Sequence, residues 1–247
     1  MHLFEYIFAF LLGTIVGSFL GVVDYRLIEG GSILWPPSHC TNCKRRLGPL
    51  DLVPIFSFLF LRGRCRTCRA PIGWSLFFME LASGLLCLGL YIAVGLSLEF
   101  LWLGILAALL LVITALDLKE FWIPDRLTLP GIAVGLGAGF FRPLGFWGAL
   151  QGAAVGLPLY LLHLLYPKGM GGGDGKLLAL IGAFLGWQGA LWSLFLGSLY
   201  GSVVGLVLLG TGRLKRGQPL PFGPFLALGA VSWIFCYQWL MGFIAIY

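Results

Sequence analysis

Long apolar stretches constrain this chain more than any other feature. A helix needs about 20 predominantly apolar residues to cross the hydrocarbon core of a bilayer. Eight candidate spans follow one another at about 3–23, 74–97, 100–116, 127–141, 144–166, 177–188, 189–210 and 221–245, the sixth short and running into the seventh without a clear boundary. Composition agrees: 59% of the 247 residues are hydrophobic and 11% are charged, where an ordinary soluble domain carries about 25% charged residues. The expectation is an all-α polytopic membrane protein. The first stretch is too long for the core of a cleaved signal and lacks a basic n-region or a small-residue cleavage site, so it is read as a span.

Charge placement tests the number of spans, because Lys and Arg of short loops collect on the cytoplasmic side. With eight spans and both ends outside, the inside segments 24–73, 117–126, 167–176 and 211–220 hold 8, 2, 2 and 3 basic residues, and the outside loops hold only Arg142. Omitting or adding one span would scatter that division. The net charge of +6 therefore belongs to loops beside anionic lipid headgroups, and it is no nucleic-acid signature.

Residues 24–73 break the apolar pattern, being polar, basic and rich in Cys, Pro and Arg. They contain SHCTNCKRR and RGRCRTCRAP, which place Cys40 and Cys43, then Cys65 and Cys68, in two CxxC pairs with 21 residues between them. This is close to zinc-ribbon spacing. Each two-residue gap forms a tight knuckle, so four thiolates can close a tetrahedral Zn2+ site. A segment this small lacks apolar area, and metal binding would supply much of its folding free energy. The alternatives are four reduced thiols or two disulfides, the latter disfavoured in a reducing cytoplasm. His39 is read as solvated, and Cys87 and Cys236, inside apolar spans, as small hydrophobes.

Ionisable residues at membrane depth are expensive and point to function. Asp117 ends the third span in ITALDLKEFWIPDRLTLP, Asp125 precedes the fourth, and Asp174 lies in GMGGGDGKLL at 169–178. All three are predicted at the cytoplasmic face. Two neighbouring carboxylates share a proton, so one acts as general base toward water while the other polarises a carbonyl. Glycines such as Gly171 and Gly173 suit this task by permitting positive φ and close approach of a substrate backbone. The same run also reads as a plain turn with Asp174 capping the next helix. A phosphate loop would need a preceding strand. Glu80 lies about two turns inside the second span, either paired with an arginine of the 24–73 segment, facing a water-filled pocket, or close to the reaction. Lys176 is placed to act on Asp174 or on lipid phosphate. His163 is read as a packed histidine and Arg26 as an interface anchor.

Together these motifs resemble the type IV prepilin peptidases, membrane aspartyl proteases of the Gly-x-Gly-Asp kind. The resemblance rests on GSFLGVVDYRL at 17–27, the double CxxC, LRGRCRTCRAPI at 61–72, ALDLKEFWIPDRLTLP at 115–130, GMGGGDGKLLALIGAFLG at 169–186 and PFGPFLALG at 221–229. It implies cleavage of the basic leader of prepilins or pseudopilins after a glycine, at the cytoplasmic face of the bacterial inner membrane. N-methylation of the new N-terminus from S-adenosylmethionine would follow. On matching positions it makes Asp117 and Asp174 the catalytic pair and Cys40, Cys43, Cys65 and Cys68 the metal ligands. Asp125 and Glu80 become supporting residues. Gly21, Asp24 and Thr41 depart from the family pattern, the first two in the segment connected with methyl transfer. The implied organisation is a first transmembrane helix at 1–23, a cytoplasmic tetracysteine domain at 24–73 and a membrane-embedded peptidase domain at 74–247. A proton-coupled transporter and a non-catalytic pilin-binding scaffold are the rival classes.

Overall fold

The computed structural model describes residues 2–32, 35–166, 171–215 and 217–244. Lys168 and Arg216 of the charge count, and residues 169–170 of the glycine run, lie outside the described residues. The described chain is an all-α multi-pass membrane protein with a small tetracysteine domain between its first two long helices, and it forms two compact units, Met1–Leu96 and Ser97–Tyr247. Helices dominate because a bilayer core offers no water to backbone amides, and a helix satisfies them within one segment.

The first unit holds α1 (His2–Glu29), the short α2 (Phe56–Phe60) and α3 (Trp74–Val94). α1 packs on α3 through small residues: a Cβ at Gly13 would lie 2.5 Å from Cβ of Cys87, and one at Gly17 would lie 2.7 Å from Cα of Glu80. Such backbone-to-backbone contact gives dispersion where lipid removes the hydrophobic drive between helices. Between α1 and α3 the two CxxC pairs form matching knuckles. Cys40 N–H donates to Arg45 O and Cys65 N–H to Ala70 O, and Lys44 and Arg69 take equivalent left-handed positions, both at φ 55.

Asp51 links the knuckles. Its carboxylate accepts from Arg45 and, at 2.8 Å, from Arg66, and the Gly48 amide donates to it at 3.1 Å. Burial opposes the charge, but the Gly48 amide, Arg66 and Arg45 together hold the carboxyl below the usual carboxylate range. A lowered folded-state value contributes stability above the unfolded value of about 3.9, and that stability is lost as pH falls through the folded value. Asp51→Asn is therefore expected to lower the unfolding temperature of this unit at pH 7. The gap from the parent should narrow below about pH 4. Thermal melts across pH check this, and a gap independent of pH contradicts it.

The second unit holds α4 (Leu98–Glu120), α5 (Asp125–Ala138), α6 (Gly145–Ala154), α7 (Leu157–Leu165), α8 (Gly172–Gly210) and α9 (Gly223–Ile244). Leu103, Leu106, Leu110, Ile113 and Leu116 are buried along one face of α4, at the spacing of a core-facing helix stripe. The first half of α8 forms the core, with Leu177, Leu178, Leu180, Ile181, Ala183 and Phe184 fully buried. A Cβ at Gly152 of α6 would lie 2.0 Å from the carbonyl oxygen of Gly182, so side chains are excluded at that crossing.

Two expectations for the spans change. The fifth is split into α6 and α7, and the sixth and seventh belong to one assigned helix broken at Gly186, at φ 74 and ψ 178, rather than at 188–189. Only glycine adopts that conformation without strain. The chain reverses there. α8 and α9 begin side by side, because Cβ atoms built on Gly173 and Gly223 would both touch Ile123. Beyond the break Gly189 faces Trp233, Gly197 faces Leu226 and Gly205 faces Leu220, so this half of α8 runs antiparallel to α9. Setting the short α2 aside, and counting α8 twice and α6 with α7 as the single apolar span Gly145–Leu165, gives about eight membrane helices among the described residues. At the reversal, Arg142 pairs with Glu99 at the start of α4 and donates at 2.5 Å to Phe184 O. A cavity of about 610 Å³ opens beside this cluster, lined by Leu103, Leu144, Gln188 and Trp233 among others.

Candidate active site

Asp117 lies in the last turn of α4, one residue past Leu116 on the buried stripe, and is 5% exposed. Phe121 then turns left-handed and returns its N–H to Asp117 O, which ends the helix. The carboxylate accepts the Gly223 amide at 2.9 Å, from the first residue of α9. A Cβ at Gly223 would lie 2.7 Å from Asp117 Oδ2. Asp174 lies in the first turn of α8, half-buried, and close enough to Asp117 for the two carboxyl groups to act on one another electrostatically. The structure thus brings together two acids from different helices at one end of the unit. They do not lie at mid-span, where a transporter's relay would place them.

The glycines around Asp174 act differently from the expectation. The described part of the run is helical from Gly172 onward, Gly171 has φ −68, and none of Gly171–Gly175 has positive φ. Their role is space. A Cβ at Gly171 would lie 3.3 Å from Asp174 Oδ2, one at Gly172 2.6 Å from the His163 ring, one at Gly173 2.7 Å from Ile123, and one at Gly175 2.7 Å from the Tyr160 amide. The first turn of α8 can therefore nest against α7 and the 121–124 turn. His163 packs there as a ring against backbone.

Lys176 also differs from the expectation. Its ammonium pairs with Asp125 Oδ1 at 2.6 Å and stands 5.6 Å from the Tyr160 ring centroid, so Asp125 rather than Asp174 takes its charge. Asp125 opens α5 behind Pro124, and the pair ties the start of α5 to the first turn of α8. Gly223 and Ile123 were not singled out in the sequence. The available signal was the Pro-Phe-Gly-Pro entry to the last span.

In the first unit, Sγ atoms of Cys40, Cys43, Cys65 and Cys68 all lie within 4.8 Å of one another, and those of Cys40 and Cys68 are 3.7 Å apart. Tetrahedral Zn–S bonds of about 2.3 Å require sulfurs about 3.8 Å apart, so the set fits a metal ion. Within the four neighbouring thiols the Ala70 amide lowers Cys68 to about 6, against desolvation, while burial and the adjacent sulfurs push Cys43 up to about 11. His39 is outside the set, with Nδ1 3.0 Å from Pro37 O. Glu80 is buried and accepts from the Ile55 amide at 2.6 Å and from the Ser18 hydroxyl, so its described partners are not arginines. Arg26 donates to Ser32 O at 2.7 Å and to Pro36 O, folding the chain back after α1. Cys87 packs beside Gly13, and Cys236 is exposed.

Residues 11–94 match the family described as Bacterial Peptidase A24 N-terminal domain, and residues 104–206 match the Type IV leader peptidase family. A protein of Burkholderia pseudomallei (strain 1026b) named prepilin leader peptidase/N-methyltransferase is 36% identical, over 92% of this chain and 84% of its own length. Proteins of the same name from Bacillus subtilis (strain 168) and Pseudomonas putida are each 36% identical, over 90% and 91% of this chain and 90% and 89% of their own lengths. No solved structure matches the chain significantly.

Proposed function

This chain belongs to the type IV leader peptidase family, and we propose on that premise that Asp117 and Asp174 are its catalytic pair for cleaving the basic leader of prepilins or pseudopilins. The observation that carries this reading is the placement of two carboxyl groups, from α4 and α8, within electrostatic reach of one another at one end of the second unit, where Gly173 and Gly223 both adjoin Ile123. Two such groups hold one proton between them. The ionised member takes a proton from water, whose oxygen attacks the scissile carbonyl carbon. The protonated member hydrogen-bonds the carbonyl oxygen as it gains charge. The C–N bond then breaks, the leaving amine takes up a proton, and the acid pair is restored to one proton. Asp117 is oriented by the Gly223 amide. The absence of a side chain at Gly171 leaves space beside the Asp174 carboxylate, and at Gly173 it lets the first turn of α8 sit against Ile123.

The reading places this end at the cytoplasmic face of the bacterial inner membrane. Lys119, Arg126, Lys176, Arg213 and Lys215 support it, since all lie toward the Asp117 end, whereas Arg142 lies at the other. The prepilin's apolar segment enters among the spans while its leader stays in the cytoplasm.

The four cysteines would hold Zn2+, which when bound cross-links the two knuckles and neutralises thiolate charge. The relatives' name also carries N-methylation, for which S-adenosylmethionine is the implied methyl donor. The cavity of about 610 Å³ does not fit that donor's task, because it lies at the far end of the spans from the new amine.

The test is cleavage of a purified prepilin in vesicles carrying this protein, with and without S-adenosylmethionine labelled in its methyl group. The expected result is a shortened pilin whose N-terminus carries the label only when the donor is present. A protein that binds precursor without cutting it, as a scaffold would, overturns the reading.

A further inference from the structure

We infer that residues 52–61, in the middle of the tetracysteine segment, lie inside the membrane leaflet at the N-terminal end of α3 and present their outer side chains to lipid acyl chains. Depth is the first argument. α3 has 21 residues, a length of about 31 Å at 1.5 Å per residue, which matches a hydrocarbon core of about 30 Å. Glu80 is six residues past Trp74, hence about 9 Å below the start of the helix. The Ile55 amide donates to this carboxylate at 2.6 Å, so the chain at Ile55 stands at the same depth. Ile55 has φ 61 where it makes that contact.

The backbone suits such a place, because unsatisfied amides are not tolerated in lipid. Beyond Ile55, the amides of Phe56, Ser57, Leu59 and Leu61 donate to Pro54, Val53, Ile55 and Ser57. Phe58 points inward, its ring centroid 5.0 Å from Trp74 and 5.2 Å from Phe77, which fastens the segment to the first turn of α3. The outer face is apolar: Val53, Phe56, Leu59 and Phe60 are 40%, 50%, 56% and 84% exposed. No charged residue occurs from Leu52 to Leu61, and exposed Arg62 and Arg64 follow at once.

Lipid is the occupant that fits. The ridge continues onto exposed Trp74 and Phe78 of a helix that crosses the bilayer. Aromatic side chains at a span's end mark the membrane interface, and the arginines beyond the ridge match anionic headgroups. In water the same surface would be an exposed apolar patch.

The test uses the full chain in vesicles of phosphatidylethanolamine and phosphatidylglycerol, with p-acetylphenylalanine introduced in turn at Phe56, Phe60 and Thr41 and coupled to a nitroxide. This label leaves the cysteines untouched. At 56 and 60 the nitroxide should be broadened by oxygen and shielded from a water-soluble nickel chelate. At Thr41, exposed on the first knuckle, the order should reverse. Access of the nickel chelate to positions 56 and 60 overturns the inference, as does exclusion of both reagents, which would mean that protein covers the ridge.

Discussion

Asp117→Asn and Asp174→Asn are each expected to reduce prepilin cleavage by about 10²–10⁴-fold, the contribution of a positioned acid or base, or about 3–5 kcal/mol of barrier. Folding should survive. An asparagine at 117 keeps an oxygen that can accept the Gly223 amide, now made at 2.9 Å, so the start of α9 stays in place. At 174 the substitution removes the charge felt between the two acids without adding volume against Gly171. A cleavage time course on protein matched for expression and thermal stability checks this. Full activity in either variant removes that residue from the catalytic role, and loss of folded protein would instead show that the carboxyl group is structural.

The second large effect concerns the metal. The purified protein is expected to carry one zinc per chain, held by Cys40, Cys43, Cys65 and Cys68, whose Sγ atoms lie within 4.8 Å of one another. Structural zinc binds zinc-finger peptides at pH 7 with about 10–16 kcal/mol, more than a segment of this size can gain by burying apolar surface. A strong chelator, or Cys65→Ser, should therefore release the metal and open the two knuckles, residues 38–48 and 62–71, to protease while α1 and α3 stay in the membrane. Cys87→Ser and Cys236→Ser should keep the zinc, since both residues lie outside the cluster. Elemental analysis together with limited proteolysis reads both outcomes. A folded, protease-resistant, metal-free sample contradicts the site.

Much of this was legible in the chain. A transmembrane helix announces itself by length and hydropathy, which are local properties. So does a CxxC knuckle, whose two-residue gap closes a turn by itself. Even the burial of Asp117 follows from register, because it succeeds Leu116 on the stripe that starts at Leu103. Partners were not legible. Gly223 is 106 residues from the carboxylate it orients, and Lys176 is 51 residues from Asp125. No periodicity couples positions so distant, so proximity in sequence pointed Lys176 at Asp174. The glycines of 171–175 carried the same ambiguity, since glycine serves equally for positive φ and for close approach, and only the packing of α8 against His163, Ile123 and Tyr160 selects the second.

The amino-acid order by itself determined the solvent of the long spans, because transfer into a bilayer depends on the apolar length of the segment. It also determined the end at which basic charge collects and the presence of a four-thiolate set. Tertiary structure decided which groups meet: Asp117 with Asp174, Lys176 with Asp125, Arg142 with Glu99, and Ile55 with Glu80. Those meetings depend on where Gly186 reverses α8 and on how closely glycine contacts let helices approach. They are set by packing geometry between distant parts of the chain, which hydropathy does not encode.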